Sequence, residues 1–157
     1  MTGPAYVIGV DPGMSGAIAI LDGDSIVEIH DMPVAGGTVS EQMLVGLEFW
    51  DQNIYGTVVI EDVHSMPKQG VSSVFKFGEC KGIVKGVFAQ AHRPIEYVSP
   101  QRWKRDLRLP KDKTAARQRA RELWPSDEPR FRRVKDDGRA EAALIAYWYQ
   151  TRHLRAS

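Results

Sequence analysis

The alternation of apolar and polar positions predicts five β-strands along the chain. Each run is rich in Val, Ile or Ala, and turn-forming residues such as Gly, Pro, Asp and Asn separate most of them. The tetrapeptide DGDS at 22–25 divides the second run from the third and is typical of a hairpin turn. The predicted strands cover residues 5–10, 16–22, 26–32, 56–62 and 95–99.

Helical patterns occupy most of the remaining sequence. Thr38 and Glu41 have the spacing of a capping box, which predicts a helix over the apolar positions that end at Trp50. Ser99 and Pro100 predict the N-cap and first residue of another helix. Further helices are predicted over 72–91, 113–123 and 138–153, with a charged loop over 125–136. Three neighbouring strands, followed by strands that alternate with helices, predict an α/β fold with a mixed sheet and helices on its faces.

Glycines recur at every fourth position of the helix predicted over 72–91, at Gly78, Gly82 and Gly86. Each glycine costs a helix about 1 kcal/mol relative to alanine, so this stripe predicts the close approach of another backbone. The sheet, the last helix and the same helix of a second subunit are all candidate partners. Packing within the protomer is the interpretation we favour.

Charge is divided unevenly between the two parts of the chain. Residues 1–100 contain 5 Lys or Arg and 12 Asp or Glu, whereas residues 101–157 contain 16 and 8. The overall net charge of +1 therefore hides a strongly basic last third. Lys and Arg at this density neutralise phosphate groups, which favours nucleic acid as a partner. Basic helix faces that are merely solvated are the alternative.

The composition is that of a soluble globular domain, with 43% hydrophobic and 26% charged residues. A length of 157 residues suits one domain spanning 1–157. The one cysteine, Cys80, excludes an intramolecular disulfide and a Cys-rich zinc site. No apolar run approaches the roughly 20 residues that span a bilayer, and the first residues do not resemble a signal peptide. We therefore expect no membrane partner and a cytoplasmic location.

Four carboxylates stand where predicted elements begin or end. Asp11 and Glu61 end the first and fourth predicted strands, which brings them to one edge of the sheet if those strands are parallel neighbours. Asp137 and Glu141 are four residues apart near the start of the last helix and can share one side of it. Acids gathered in this way repel one another unless cations lie between them. Oxygen ligands without cysteine favour Mg²⁺ or Mn²⁺.

Each of these acids also has a purely structural explanation. Asp11 can cap the turn that begins at Pro12, and Glu61 can simply face solvent. Asp137 can be an N-cap, and Glu141 can lie favourably near a helix N-terminus. The conjunction of the four favours a metal site of the kind that hydrolyses phosphodiesters.

Four ordered segments carry a family resemblance. They are IGVDPGMSGAIAI near the start, VVIEDVHSMPKQGVSSVFKFGECKG in the middle, VSPQRWKRDL followed by KDKTAARQRA, and KDDGRAEAALIAYW towards the end. Together they resemble the RuvC family of Holliday junction resolvases, particularly its phage-type members, within the ribonuclease H-like superfamily. The resemblance covers nearly the whole chain.

The resemblance implies a five-stranded mixed sheet in the order 3-2-1-4-5 with helices on both faces. It also implies a homodimer and two-metal-ion, Mg²⁺-dependent cleavage of Holliday junctions and related branched DNA, with Mn²⁺ able to substitute. If the protein is encoded by a phage, the expected location is the cytoplasm of the bacterial host.

The resemblance further assigns metal-ligating and catalytic acids. They are Asp11, Glu61, Asp137 and Glu141. The third acid departs from the family's pattern. The family has an acid three residues before its last acid, which corresponds to Glu141, and this chain has Gly138 at that position. Asp137 is the predicted substitute and Asp136 the fallback.

Basic and aromatic positions of the family have counterparts here as well. Two lysines near the scissile phosphate correspond to Lys104 and Lys113, where a lysine would stabilise charge on the phosphate, with Lys113 predicted to be catalytic. Ordinary solvated lysines are the alternative. An aromatic wedge three residues after the second acid corresponds to His64, a weaker platform for stacking on bases. The other residues predicted to contact DNA are Lys68, Lys76, Lys81 and Arg105.

Three other functions compete with a resolvase. Another ribonuclease H-like nuclease would act on RNA–DNA hybrids or on flaps and forks, and a non-catalytic protein would bind junctions without cutting them. A sugar-kinase-like or actin-like ATPase also has a strand followed by a D-x-G turn. A chain of 157 residues leaves no room for that fold's second lobe.

Overall fold

Seven strands lie within the residues that the computed structural model describes, 6–47, 54–64 and 68–154. They are β1 (Tyr6–Asp11), β2 (Ala17–Asp22), β3 (Ser25–Asp31), β4 (Val34–Ala35), β5 (Thr38–Val39), β6 (Gly56–Glu61) and β7 (Ile95–Val98). Five of them form one mixed sheet in the order β3-β2-β1-β6-β7. The pairs β1–β2 and β2–β3 are antiparallel, and β1–β6 and β6–β7 are parallel. With the separate β4–β5 hairpin left out of the count, this is the expected order 3-2-1-4-5.

The helices follow the prediction closely except at the first one. They are α1 (Glu41–Val45), α2 (Val71–Gln90), α3 (Pro100–Asp106), α4 (Ala115–Leu123) and α5 (Asp137–Tyr149), and a π-helical turn, Gln150–Leu154, extends α5. The charged loop predicted over 125–136 contains two 3₁₀ turns, Pro125–Phe131 and Val134–Asp136. The predicted start of α3 is confirmed, because the Ser99 hydroxyl accepts a hydrogen bond from the Arg102 amide at 3.3 Å.

The capping box predicted at Thr38 and Glu41 is wrong. Thr38 lies in β5, and Ser40 is the N-cap of α1. The Ser40 hydroxyl accepts a hydrogen bond from the Met43 amide at 3.3 Å. The β4–β5 hairpin, which local pattern did not indicate, moves the start of the helix by two residues. The predicted end of this helix at Trp50 lies outside the described residues.

Two apolar cores cover the two faces of the sheet. Side chains alternate between the faces along a strand, so Val7 packs into the core that contains α5 while Ile8 packs into the core that contains α2. Complete burial of such side chains stabilises the fold by about 1.5–3 kcal/mol each. The two-sided burial explains why β1 and β2 are almost continuously apolar.

The glycine stripe of α2 does not pack within the protomer, so the interpretation we favoured is wrong. A Cβ placed on Gly78, Gly82 or Gly86 would meet no atom of the described residues within 4 Å. The buried residues of α2 are Cys80, Val84 and Phe88, on another side of the helix. No described residue covers the stripe, so a second subunit stays a candidate partner.

Among the described residues, no helix combines the length and the apolar character that crossing a membrane requires.

Candidate metal centre and active site

Three carboxylates meet at the carboxyl edge of β1 and β6. Asp11 ends β1, Glu61 ends β6, and Glu141 lies in the second turn of α5. One oxygen from each of them lies within 4.8 Å of the others. We call these three residues the acid cluster. Glu61 is buried, with 4% of its surface exposed, and the other two are half-buried.

Strand register and side-chain parity bring the first two acids together. The parallel pairing of β1 with β6 matches Val10 to Ile60, so Asp11 and Glu61 follow as neighbours. Val59 packs in the α5 core, and Glu61, two residues further on, lies on the same face of the sheet. The same parity places Asp62 on the opposite face, where Lys81 of α2 donates to it at 2.5 Å.

A glycine two residues before Asp11 lets the third acid approach. A Cβ on Gly9 would overlap the carbonyl oxygen of Ala142, so α5 lies directly against the backbone of β1 there. Glu141 precedes Ala142, and this close packing holds its side chain beside Asp11.

The surroundings of the acid cluster disfavour the ionised form of Asp11 and Glu61. Burial, followed by the charges of Glu61 and Glu141, raises the pKa of Asp11 to about 8. Burial and then Glu141 also raise the pKa of Glu61. Carboxylates placed so that they resist ionisation are typical of functional sites, and a bound cation would relieve the repulsion.

Two consecutive residues of α3 contact the acid cluster. The buried indole N–H of Trp103 donates to Glu61 Oε1 at 2.9 Å, and the ammonium of Lys104 donates to Glu141 Oε1 at 2.8 Å. Burial disfavours the charge of Lys104, but the hydrogen bond and charge of Glu141 outweigh it and raise the pKa of that lysine. Lys104 therefore lies beside the acids as a partial counter-charge.

A cleft of about 540 Å³ opens over the acid cluster. The charged side chains that line it are Asp11, Lys104, Lys111, Asp112, Lys113, Asp137 and Glu141. The two lysines predicted to lie near the scissile phosphate, Lys104 and Lys113, thus border the same cleft as two of the clustered acids. A polyanion in this cleft would meet cationic side chains beside the carboxylates.

The fourth predicted acid, Asp137, lines the cleft but does not join the acid cluster. Its Oδ1 accepts a hydrogen bond from Arg117 Nε at 2.6 Å. The fallback residue, Asp136, is 1% exposed and accepts hydrogen bonds from the side chain and amide of Arg133. Those hydrogen bonds overcome the cost of burial and lower the pKa of Asp136, as expected for a structural carboxylate.

The packing of α5 explains why no acid stands at Gly138. A Cβ at that position would overlap the carbonyl oxygen of Ser15 and the backbone of Gly16. The turn between β1 and β2 therefore excludes any side chain from Gly138, and Asp137 is the next position that can carry a carboxylate towards the cleft.

The remaining residues predicted to contact DNA do not line the cleft over the acid cluster. His64, Lys68 and Arg105 are exposed, and Lys76 is half-buried beside a smaller cleft of about 310 Å³ that includes Gly13. Lys81 is bound within the protomer by Asp62 and the carbonyl of Val63. DNA contact by His64, Lys68, Lys76, Lys81 and Arg105 stays a prediction.

Sequence reasoning missed three residues of this region. Trp103 and Lys111 stand beside predicted residues in the segments QRWKRD and PKDK, and that adjacency was the available signal. Arg117 had no comparable signal, because its partner Asp137 lies 20 residues further along the chain.

Comparison with models of known protein families gives no match. Among curated proteins, the Holliday junction resolvase MOC1 of the chloroplast of Chlamydomonas reinhardtii is 34% identical over 102 residues. The matched segment covers 60% of this chain and 11% of that protein, so the chain corresponds to a small part of the relative's length.

Two solved structures of RuvC from Thermus thermophilus resemble nearly the whole chain. RuvC in complex with a Holliday junction substrate superposes with a TM-score of 0.67 at 16% identity, over 95% of this chain and 96% of that one. A second structure gives a TM-score of 0.64 at 17% identity, over 94% and 96%. The chain has the fold of RuvC. These likenesses confirm the resemblance to RuvC proteins and the ribonuclease H-like fold class that the motifs implied.

Proposed function

We propose that this chain is a structure-selective endodeoxyribonuclease that cleaves Holliday junctions and related branched DNA by metal-dependent phosphodiester hydrolysis. The observation that carries the proposal is the convergence of three carboxylate oxygens within 4.8 Å, at the edge of a RuvC-like sheet. The sequence relative named as a Holliday junction resolvase supports the same substrate class.

The acid cluster fits a hard divalent cation. Its donors are carboxylate oxygens, and burial, followed by repulsion between the acids, raises the pKa values of Asp11 and Glu61, so a further cation would favour their ionised form. Mg²⁺ is the proposed cofactor, with Mn²⁺ able to substitute, because both prefer oxygen ligands. Two such ions would activate water and stabilise the leaving oxygen of a phosphodiester.

The residues around the acid cluster have distinct proposed roles. Asp11, Glu61 and Glu141 would hold the metal, and Asp137, which lines the same cleft and is paired with Arg117, would be a fourth ligand. Lys104 and Lys113 stabilise negative charge on the phosphate from the rim of this cleft, and Lys111 adds a third cation.

The experiment is a cleavage panel in Mg²⁺ and in Mn²⁺. Four-way junction, fork, flap, linear duplex and RNA–DNA hybrid substrates are compared, and the four-way junction is expected to be cut fastest. Asp11→Asn should still bind the junction without cutting it, whereas Asp22→Asn, at the exposed far end of β2, should cut normally.

Three results would overturn the proposal in different ways. Preferred cleavage of the hybrid would assign a ribonuclease H-like activity instead. Tight junction binding by the wild type without cleavage would assign a binding protein. Equal loss of binding and cleavage in Asp11→Asn would show that Asp11 supports the fold and does not act in the cleavage reaction.

We also propose that the protein acts as a homodimer, which would supply two active sites for paired cuts in a four-way junction. The support is the exposed face of α2, where Gly78, Gly82 and Gly86 meet none of the residues that the structure describes. Val71 and Phe75 are 86% and 76% exposed on the same helix. A second copy of α2 is the occupant proposed for this face, because glycines allow two helices to approach closely.

Sedimentation equilibrium tests the homodimer. The wild type is expected to be dimeric, and Gly82→Glu should be monomeric because a charged side chain would separate the two helices. Gln90→Glu, a charge introduced at the exposed end of α2, should stay dimeric. A monomeric wild type at micromolar concentration, or a dimeric Gly82→Glu, would refute this arrangement.

A further inference from the structure

One hydrogen bond links the acid cluster to the hydrophobic core. Trp103 is fully buried, and its indole N–H donates to Oε1 of Glu61 at 2.9 Å. The two residues are 42 positions apart, on α3 and β6. Of the buried carboxylate's two oxygens, one therefore has a fixed partner from the protein.

The indole is itself held firmly. Trp103 packs in the core formed by α5 and the sheet, and the Ser99 cap sets the first turn of α3. Because this donor has no exposed surface, its packing fixes the direction from which Oε1 of Glu61 accepts a hydrogen bond. By contrast, the neighbouring Lys104 is half-buried and contacts Glu141 instead.

A carboxylate that is oriented before a metal arrives loses less conformational freedom when it binds. Side chains that donate hydrogen bonds to metal ligands orient them in this way, and their removal typically lowers metal affinity by about 10- to 100-fold. The donor used here is an indole, which has no charge and cannot itself compete as a ligand.

We propose that Trp103 is a positioning residue that orients the Glu61 carboxylate for metal binding through its indole N–H. The inference rests on the proposed function, because it requires that Glu61 be a metal ligand. It goes beyond that function by assigning part of the metal affinity to a residue that touches neither metal nor DNA.

Trp103→Phe is the first test, since it removes the N–H and keeps an aromatic ring in the core. Trp148→Phe is the matched control, because the buried Trp148 also donates its indole N–H to a carboxylate, Asp106, at 2.9 Å. Asp106 ends α3, so this control also accounts for any loosening of that helix. Mn²⁺ affinity is measured by electron paramagnetic resonance of the free ion, and thermal stability by circular dichroism.

Trp103→Phe is expected to weaken Mn²⁺ binding by roughly tenfold or more, while Trp148→Phe binds Mn²⁺ like the wild type. If Trp103→Phe does not fold, the isosteric analogue 3-benzothienylalanine replaces Trp103, because sulfur then stands where the N–H was. Unchanged or tighter Mn²⁺ binding in the folded variant overturns the inference and leaves the proposed function intact. Failure of the wild type itself to bind Mn²⁺ overturns both.

Discussion

Two groups of carboxylates lie close together near the start of α5, and their electrostatics are opposite. In the acid cluster, three acids lie together and the pKa values of Asp11 and Glu61 are raised. A second group, which we call the paired network, consists of Asp31, Arg133, Asp136 and Arg139. There Arg139 donates to Asp31 at 2.6 Å and 2.7 Å, Arg133 donates to Asp136, and the pKa values of both acids are lowered.

The difference separates a structural from a functional arrangement of the same residue type. In the paired network each acid has a guanidinium partner, so ionisation of the acids stabilises the fold. The ion pair between Asp31 and Arg139 also joins β3 to α5. In the acid cluster ionisation is unfavourable until a further cation binds. Asp136 and Glu141 are only five residues apart, yet they belong to different groups.

Removal of a clustered acid should have the largest effect. Glu61→Gln is expected to lower the rate of junction cleavage by about 10³-fold or more, which corresponds to about 4 kcal/mol of transition-state stabilisation. The amide oxygen can still accept from Trp103, so folding should be retained. Single-turnover cleavage is the measurement, and Asp31→Asn in the paired network should cleave at nearly the wild-type rate. Normal cleavage by Glu61→Gln would remove Glu61 from the proposed metal site.

Removal of the buried acid of the paired network should affect stability instead. Asp136→Asn leaves Arg133 without its anion and Arg139 paired with Asp31 alone, and we expect it to lower the free energy of unfolding by about 2–4 kcal/mol. Chemical denaturation measures this change, with Mn²⁺ affinity as the second readout. Loss of Mn²⁺ binding at unchanged stability would instead identify Asp136 as a metal ligand and would contradict its assignment to a structural group.

The two groups should respond oppositely to pH in the metal-free protein. The pKa of Asp11 is about 8 in the folded state against an ordinary value of 3.8. Between these values the unfolded chain is ionised and the folded chain is not, so the contribution of Asp11 to stability falls as pH rises from about 4 to about 8. Asp136, with its lowered pKa, contributes stability above pH 4 that is lost as pH falls.

Denaturation in a chelator at several pH values checks this contrast. Asp11→Asn should be more stable than the wild type at pH 8, by about 1–3 kcal/mol, and similar to it at pH 4. A constant difference between the two proteins at every pH would show that Asp11 does not titrate in this range.

The smallest expected effect concerns Arg117, whose partner Asp137 follows Asp136 in the chain and lines the cleft over the acid cluster. Arg117→Gln releases Asp137 from an ion pair, and because such pairs contribute about 0.5–1 kcal/mol, Mn²⁺ affinity should rise about two- to fivefold. Titration calorimetry measures the change. Arg119→Gln is the control, since it breaks another ion pair of the same helix, with Glu122. A decrease in affinity with Arg117→Gln would mean that Arg117 holds Asp137 ready for the metal.

Much of the site followed from the sequence because it depends on strand parity. Asp11 and Glu61 end two strands, and the alternation of side chains alone puts each of them on a definite face. The family resemblance added the order of the strands and the assignment of Glu141 to the same site as Asp11 and Glu61. These are properties of single segments and of their succession, which a sequence displays directly.

Other features depend on contacts between distant segments, so only the tertiary structure decided them. Gly138 carries no acid because the turn at Ser15 occupies the space, and Asp137 is held by Arg117 from another helix. The hydrogen bond from Trp103 to Glu61 joins segments 42 residues apart.

The glycine stripe of α2 illustrates the same limit. Its spacing correctly indicates a smooth helix face, but which side of the helix packs on the sheet depends on Val84 and Phe88 meeting the core. The sequence thus determined the strands, their order and the acids at their ends. The tertiary structure decided which acids converge and which are neutralised, because these outcomes depend on the packing of α3, α4 and α5 against the sheet.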